Sequence, residues 1–491
     1  MSLLAVFIGV LTLYLVIGTV IAVYSRRRLR GGLQDYYTGG GRLGTFLSAM
    51  TYAATTYSSF MIVGLVGFTY ITGAGAFGFE LSYYVATVGM LLVMGPRIWR
   101  MARERGWISP GQMVADLTGS RWVAPLMSIV FLFALVFYAS AQLKAIGETI
   151  AAAGGESWYS WGVLLGLIVM LIWSAVAGIW SVAATDAFQG LWMIFAGLSL
   201  LGWVIYVMYK GGVTFGRAGE ILTQSGHLTP SGVNGYWKPA TFAAFSLPWI
   251  FFALTNPQAL QRLYMPKDER AFKGMVRWFA VFGLFYTIMV TLIGLLAYAA
   301  YAGGALQVGI KLSVKLTDRV TPTLLTLTSP LLGAVVFTSI IAAAVSTADS
   351  ILLTLASSVS VDLMPERSSE RSKSIAGVAT IILVGSVMAI IALMRVAYIV
   401  KLSVLSSLIL LSLAPPIIAL SAGLRVKGWA SGLAIISGPI LVLAELVAKL
   451  GTVENPIAAV IATFLSTPLG VPLAVWILLV STALTVIGLS R

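Results

Sequence analysis

The stretch Leu47-Ser48-Ala49-Met50-Thr51-Tyr52-Ala53-Ala54-Thr55-Thr56-Tyr57-Ser58-Ser59-Phe60 decides the reading of this chain. It lies inside an apolar run, yet eight of the thirteen residues from Ser48 to Phe60 carry a hydroxyl. A helix face turned to lipid has no partners for so many polar groups. Two readings fit the pattern. One is a Ser/Thr face packed against neighbouring helices. The other, which the polarity favours, is a helix interrupted near the middle of a membrane, with freed carbonyls pointing into a binding site. Gly39-Gly40-Gly41 just upstream has no Gly-Lys-Ser/Thr after it, so it is a loop and not a phosphate cradle.

Composition supplies the membrane. Of 491 residues, 59% are hydrophobic and 10% charged, and the mean hydropathy is +0.96. A soluble chain is about 45–50% apolar and about 25% charged. At about 20 apolar residues per crossing, the chain holds material for about a dozen spans. Apolar runs near 3–24, 43–70, 76–95, 122–152, 158–179, 186–208, 240–256, 274–301, 329–361, 374–394, 398–422, 428–449 and 469–489 make thirteen candidate helices. The expected class is an all-α integral membrane protein.

A net charge of +14 would suggest nucleic acid in a soluble chain. Here it reads as short cytoplasmic loops collecting Lys and Arg. The first run has no basic residue before it and Arg26, Arg27, Arg28 and Arg30 directly after, the reverse of a cleavable signal. Threading from an outside N-terminus puts 21 of the 31 basic residues inside, Arg491 at a cytoplasmic C-terminus included. Nine fall outside or near outer ends, among them Lys210, Lys311 and Lys315, and Lys144 falls within a span. No nucleic-acid partner is expected, and a cell membrane is the expected location.

With no cysteine, disulfides, zinc-thiolate sites, Fe–S clusters and Cys catalysis are excluded. The single His227 excludes His-cluster metal sites and reads as a solvated loop residue. No loop is long enough for a soluble enzyme domain, and the chain ends directly after the last run, which predicts no appended signalling module.

The ninth run carries Ala342-Ala343-Ala344-Val345-Ser346-Thr347-Ala348-Asp349-Ser350. Residues 343, 346 and 347 share one helix face by their i, i+3, i+4 spacing. A hard cation that must also leave wants several oxygens, mostly uncharged. Carbonyls of a broken helix together with these two hydroxyls meet that need. The alternative is small-residue helix packing.

Intramembrane charges cost about 2.5–3.5 kcal/mol or more at the bilayer centre. They fall at Glu80, Lys144, Glu148, Asp186, Asp349 and Glu445. Lys144 either pairs with Glu148 at i+4 or faces the cavity and holds an anionic solute group. Asp186, at the start of the sixth run, suits a helix N-terminus. Glu445 reads as structural, near the outer boundary. Pro248 and Trp249 interrupt the seventh run, the counterpart of the second in an inverted repeat. Trp249 is either a solute-stacking ring or ordinary packing, and Arg262 is expected at the cytoplasmic surface.

These residues resemble the sodium:solute symporter family, which includes proline, pantothenate, monocarboxylate, sialic acid and sugar carriers. The resemblance rests on Gly40-Gly41-Arg42, on the segment from Gly178 through Trp180, Asp186 and Gln189 to Gly190, and on Pro257-Gln258-Ala259-Leu260-Gln261-Arg262. It rests most specifically on Ala344-Val345-Ser346-Thr347-Ala348-Asp349-Ser350 followed by Asp362. It implies a LeuT-like fold of five plus five helices, with alternating access driven by sodium and no catalytic residues. Residues 1–42 would be a peripheral helix and basic loop, 43–208 and 240–422 the two inverted halves, and 423–491 the C-terminal peripheral helices.

Carried over by position, sodium would bind the carbonyls of Ala54, Tyr57 and Ala343 and the hydroxyls of Ser346 and Thr347. Asp186 matches an acid of the cytoplasmic sodium route. Thr55, Thr56, Ser58, Tyr138, Gln142 and Trp249 fall on positions that would line the solute cavity. Two departures stand out. Thr56 replaces an acidic residue of proline carriers, and Lys144 stands where many members are apolar. Together they favour an anionic solute such as a short monocarboxylate, bound within the lipid bilayer without need of a protein partner.

Overall fold

The computed structural model describes residues 2–307, 313–395, 397–450, 459, 462–463 and 465–490. Lys311 and Arg491, counted above, lie outside the described residues, as does the side chain of Lys315.

The second run is a broken helix. Thr45–Thr56 ends where Tyr57 turns extended (φ −97°, ψ 97°), and helix resumes from Phe60 to Thr72, bent by 47°. The last i→i−4 bond of the first half joins Tyr57 N–H to Ala53 O at 2.8 Å, so carbonyls from Ala54 onward are left for other partners. Ser58 Oγ accepts the Phe60 N–H at 3.1 Å, a local bond of the kind by which Ser competes with helix continuation. The seventh run breaks twice, giving Pro239–Ile250, Phe252–Thr255 and Pro257–Arg262. Pro257 disfavours helical geometry at the residue before it, and Asn256 is extended (φ −85°, ψ 112°).

The other runs form Leu3–Ser25, Gly75–Val93, Val123–Gly154, Tyr159–Ala177, Ile179–Lys210, Glu269–Ala302, Pro330–Ser358, Glu370–Leu393, Ile399–Leu410 with its continuation to Ser421, Gly428–Leu450 and Leu473–Ile487. Among the described residues ten helices are long and apolar enough to cross a membrane, and the bent pair makes an eleventh. The twice-broken seventh run and the 15-residue Leu473–Ile487 occupy the two remaining places, so thirteen crossings are compatible with the fold.

Pro330–Ser358 is buried along most of its length and forms the centre. Leu3–Ser25 buries one stripe, Phe7, Leu11, Tyr14, Gly18 and Ala22, the four- and three-residue rhythm of a peripheral helix. A Cβ on Gly18 would stand 2.3 Å from the Trp173 ring, so only glycine allows that approach.

The basic loops meet at one end. Leu43 N–H donates to Met265 O at 3.0 Å and Lys267 N–H to Leu43 O at 2.9 Å. Arg103 donates to the carbonyls of Gly41 at 3.1 Å and Pro266 at 3.3 Å. There, burial pushes the Asp35 carboxyl up, but donors from Arg30 N–H, Trp180 Nε1 and Arg42 outweigh it and hold it below the usual carboxylate range. A two-residue ladder, Arg425–Val426 with Leu489–Ser490, closes the same chain region.

Three expectations need correction. His227 is fully buried: its ring stacks on Tyr298 at 3.7 Å, and Nε2 lies 2.9 Å from Tyr70 O. Because a carbonyl only accepts, Nε2 carries the proton. Arg262 is 1% exposed and not at the surface, because the breaks before it turn the chain inward. Asp186 lies two turns inside Ile179–Lys210, beyond the first-turn reach of the helix dipole.

Candidate functional site

The break at Tyr57 and the small-residue face of Pro330–Ser358 bring oxygens together. Ser346 Oγ lies 3.0 Å from Ala54 O and 3.1 Å from Ala343 O. Thr347 Oγ1 lies 3.2 Å from Ala54 O and 3.4 Å from Thr55 O. All are buried and neutral. Both hydroxyls converge on one carbonyl, and rotating them turns their lone pairs toward a common point, as a small cation needs. The Thr55 carbonyl is a member that sequence reasoning assigned elsewhere. Tyr57 sits at the break itself, its ring packed on Phe279 and Tyr286.

Below this cluster runs a ladder of hydroxyls. Thr55 Oγ1 and Ser350 Oγ are 2.7 Å apart, and Arg262 Nη2 donates to Ser350 at 2.6 Å. Thr51, one turn before Thr55, donates to Asp186 Oδ2 at 2.6 Å. Asp186 Oδ1 is buried without a hydrogen-bond partner among the described residues. Thr51, Ser350 and Arg262 were not singled out from sequence as members of this site. The i−4 and i+4 relations to Thr55 and Ser346 were the available signal for the first two.

On the other side of the break lies a buried aromatic cluster. Trp249 stacks between Phe60 (4.9 Å, 28°) and Phe252 (5.3 Å, 14°), and Tyr83 meets it edge-on at 5.1 Å. Tyr138 donates to Ser58 Oγ at 3.3 Å, and its ring lies 6.1 Å from Trp249. Gln142 accepts from Ser59 Oγ at 2.7 Å and donates to Tyr138 O at 3.2 Å. Ser58, Tyr138, Gln142 and Trp249 therefore form one connected group. Thr56 is buried with no hydrogen-bond partner for its hydroxyl among the described residues, and the Thr55 side chain turns instead to Ser350.

Lys144 is not part of that group. Its ammonium bonds Asp318 and lies 3.5 Å from Glu148. Asp318 also accepts the Ile399 N–H at 2.9 Å. Arg395 reaches Glu148 at 3.8 Å and stands 3.6 Å over the Tyr159 ring. Glu445 pairs with Lys449 at 3.4 Å and accepts from Ser466.

A broken helix facing neutral oxygens on a central helix is the architecture of an ion-coupled membrane carrier. The sequence profile of the Sodium:solute symporter family matches residues 36–422, most of the chain, and the chain belongs to that family. As a member it is a multi-pass, sodium-coupled secondary transporter of small solutes and not an enzyme. It is 27% identical over 371 residues to the sodium/pantothenate symporter of Haemophilus influenzae, covering 74% of this chain and 73% of that one. It is 25% identical over 364 residues to the sodium/proline symporter of Staphylococcus aureus, covering 72% and 67%. Its fold is similar to the substrate-bound outward-open state of a Na+-coupled sialic acid symporter, with a TM-score of 0.77 at 17% identity over 99% of each chain. It is also similar to MhsT in complex with L-phenylalanine, with a TM-score of 0.50 at 18% identity over 86% and 98%.

Proposed function

We propose that this chain imports a small organic solute with sodium by alternating access across the cell membrane, with residues 43–208 and 240–422 as its inverted halves. Its N-terminus would lie outside and its C-terminus in the cytoplasm. The observation that carries the reading is the convergence of Ser346 and Thr347 on the Ala54 carbonyl at 3.0 and 3.2 Å. Sodium would sit among Ala54, Tyr57, Ala343, Ser346 and Thr347, with Thr55 O close by, and leave toward Asp186. Thr56, Ser58, Tyr138, Gln142 and Trp249 would hold the solute.

A monocarboxylate is one reading of that solute, and it needs Lys144 as the anion anchor. Lys144 already carries Asp318 and Glu148, which supports the rival reading of a proline-, amino-acid- or pantothenate-like solute, the kind for which the two curated relatives are named. Thermal stabilisation of the purified protein tests the coupling ion. Melting should rise with sodium but not with equal potassium, and equal effects of both ions would remove the reading.

A further inference from the structure

His227, the single histidine of the chain, belongs neither to the oxygen cluster nor to the group around Trp249. It sits in the loop 226–238, which lies across the far end of the broken second helix. The second half of that helix ends at Thr72, followed by Gly73 at φ +85°. Ala74 N–H and Tyr70 O are four residues apart, the spacing of one more helical hydrogen bond. His227 meets both. Its carbonyl accepts the Ala74 N–H at 2.7 Å, and its Nε2 donates to Tyr70 O at 2.9 Å. One loop residue therefore supplies a donor and an acceptor at a helix end, where backbone groups lack partners of their own. The seat is close. A Cβ on Gly73 would lie 2.5 Å from the His227 carbonyl, and one on Gly232 would lie 2.3 Å from Thr72 O. Trp237 Nε1 also donates to Thr72 Oγ1 at 3.0 Å.

The seat suits a neutral ring. The imidazole is fully buried against Tyr298, with Nδ1 2.8 Å from Ser225 Oγ. No carboxylate forms an ion pair with it among the described residues. The titratable groups facing it are the phenols of Tyr298 and of Tyr70, whose ring meets Tyr298 at 5.5 Å. The charges of Phe215–Gln224, Arg217 and Glu220, are exposed and pair with each other at 2.8 Å, and Lys238 of the loop is exposed. Burial holds the imidazole below its usual range, against the bonds to Tyr70 and Ser225 that favour a proton. A proton therefore binds less readily while the loop is seated than when it has lifted, and acid favours the lifted form. The half-helix so held begins with Ser58, Ser59 and Phe60, which meet Tyr138, Gln142 and Trp249. With the chain broken at Tyr57, the anchor at its far end helps to fix where those three residues stand.

We propose that His227 is a positioning residue of the transport cycle: neutral, it clasps the loop 226–238 to the second half of the broken helix, and protonated it releases that clasp, so that acid slows the carrier. The proposal goes beyond the sodium cluster and the solute group, and its uptake readout rests on the symporter reading.

The test compares purified full-length wild type with His227→Gln between about pH 7.5 and about pH 5.5. One readout is hydrogen-exchange protection. The other is uptake by proteoliposomes of whichever of L-proline, glycine betaine, pantothenate and lactate is carried, with equal pH on both sides. In wild type, protection at 69–74 and 226–238 should fall by up to about tenfold at about pH 5.5, one unit below the ordinary His pKa of about 6.5. Initial uptake should fall with it, at least twofold. Glutamine keeps an N–H for Tyr70 O and takes no proton, so both profiles should be flat in His227→Gln. The lone histidine also gives a single imidazole signal by NMR, and its titration midpoint should coincide with that of the uptake loss. Protection or uptake independent of pH in wild type overturns the proposal. So does the same pH profile in folded His227→Gln, or an uptake midpoint more than half a pH unit from that of the imidazole. Where His227→Gln does not fold, the two midpoints of wild type decide alone. Acid-slowed uptake that is equal in sodium and potassium would sustain the clasp and remove the sodium-coupling reading instead.

Discussion

Removing both side-chain oxygens of the proposed sodium cluster, by Ser346→Ala with Thr347→Val, is the sharpest perturbation the geometry offers. The valine keeps the branched shape of threonine and deletes only the ligand atom. A hydroxyl contact to a charge is worth about 1.5–3 kcal/mol. Because the two hydroxyls share the Ala54 carbonyl at 3.0 and 3.2 Å, their contributions are coupled and do not simply add. Taking the lower end, a joint loss of about 3 kcal/mol corresponds to about a hundredfold weaker sodium binding at 1.4 kcal/mol per tenfold. The fold also loses two hydrogen bonds of about 1 kcal/mol each, which is why the sodium titration must be read on folded, monodisperse protein. The assay is the sodium concentration that gives half-maximal stabilisation and half-maximal uptake. Both should move upward together, while saturating sodium restores solute binding. A half-saturation within threefold of wild type in folded protein would refute the assignment of these hydroxyls.

Other consequences follow from single contacts. Lys144→Met leaves the Asp318 carboxylate buried without its cation. It should cost about 3–5 kcal/mol, read as a fall in melting temperature that Asp318→Asn partly reverses. Equal melting of wild type and Lys144→Met would show that the pair carries no stability. Burial holds the His227 imidazole below its usual range, against the opposing bonds to Tyr70 and Ser225. The folded state therefore takes up its proton later than an open one. Stability from this site is whole above the ordinary His pKa of about 6.5 and declines as pH falls toward the lowered value. Hydrogen exchange in 225–232, compared at each pH with His227→Gln, should rise selectively in wild type between about pH 7 and 5, and parallel profiles would contradict this. A Cβ on Gly67 would lie 2.0 Å from the Thr317 carbonyl. Gly67→Ala should therefore push Thr317–Thr326 away, cost about 1–3 kcal/mol and raise exchange in that helix.

What could be read from the chain was whatever repeats locally. The hydroxyl density of Ser48–Ser59 signalled the break at Tyr57, and the i, i+3, i+4 face of 343, 346 and 347 signalled the oxygens opposite it. Pro248 and Trp249 suggested one interruption of the seventh run, but helix continues through both to Ile250 and breaks instead at Phe251 and Asn256. What escaped depends on partners far away in sequence. Glu148 was legible as the i+4 neighbour of Lys144, whereas Asp318, 174 residues on, was not. His227 looked solvated because it lies in a polar stretch, while Tyr70, whose carbonyl it meets, lies 157 residues before it. Arg262 resembled an ordinary basic loop residue, since nothing local shows that two breaks carry it beneath Ser350. Asp186 seemed to open its helix because hydropathy rises only there, but helix begins at Ile179, just after Gly178 at φ +55°.

The deciding measurement is uptake of radiolabelled solute by proteoliposomes holding the purified chain under an inward sodium gradient, with potassium replacing sodium in the control. L-proline is the first solute, followed by glycine betaine, pantothenate and lactate. Accumulation above the equilibrium level that collapses when the sodium gradient is dissipated is the predicted result. Equal uptake in sodium and potassium would contradict it.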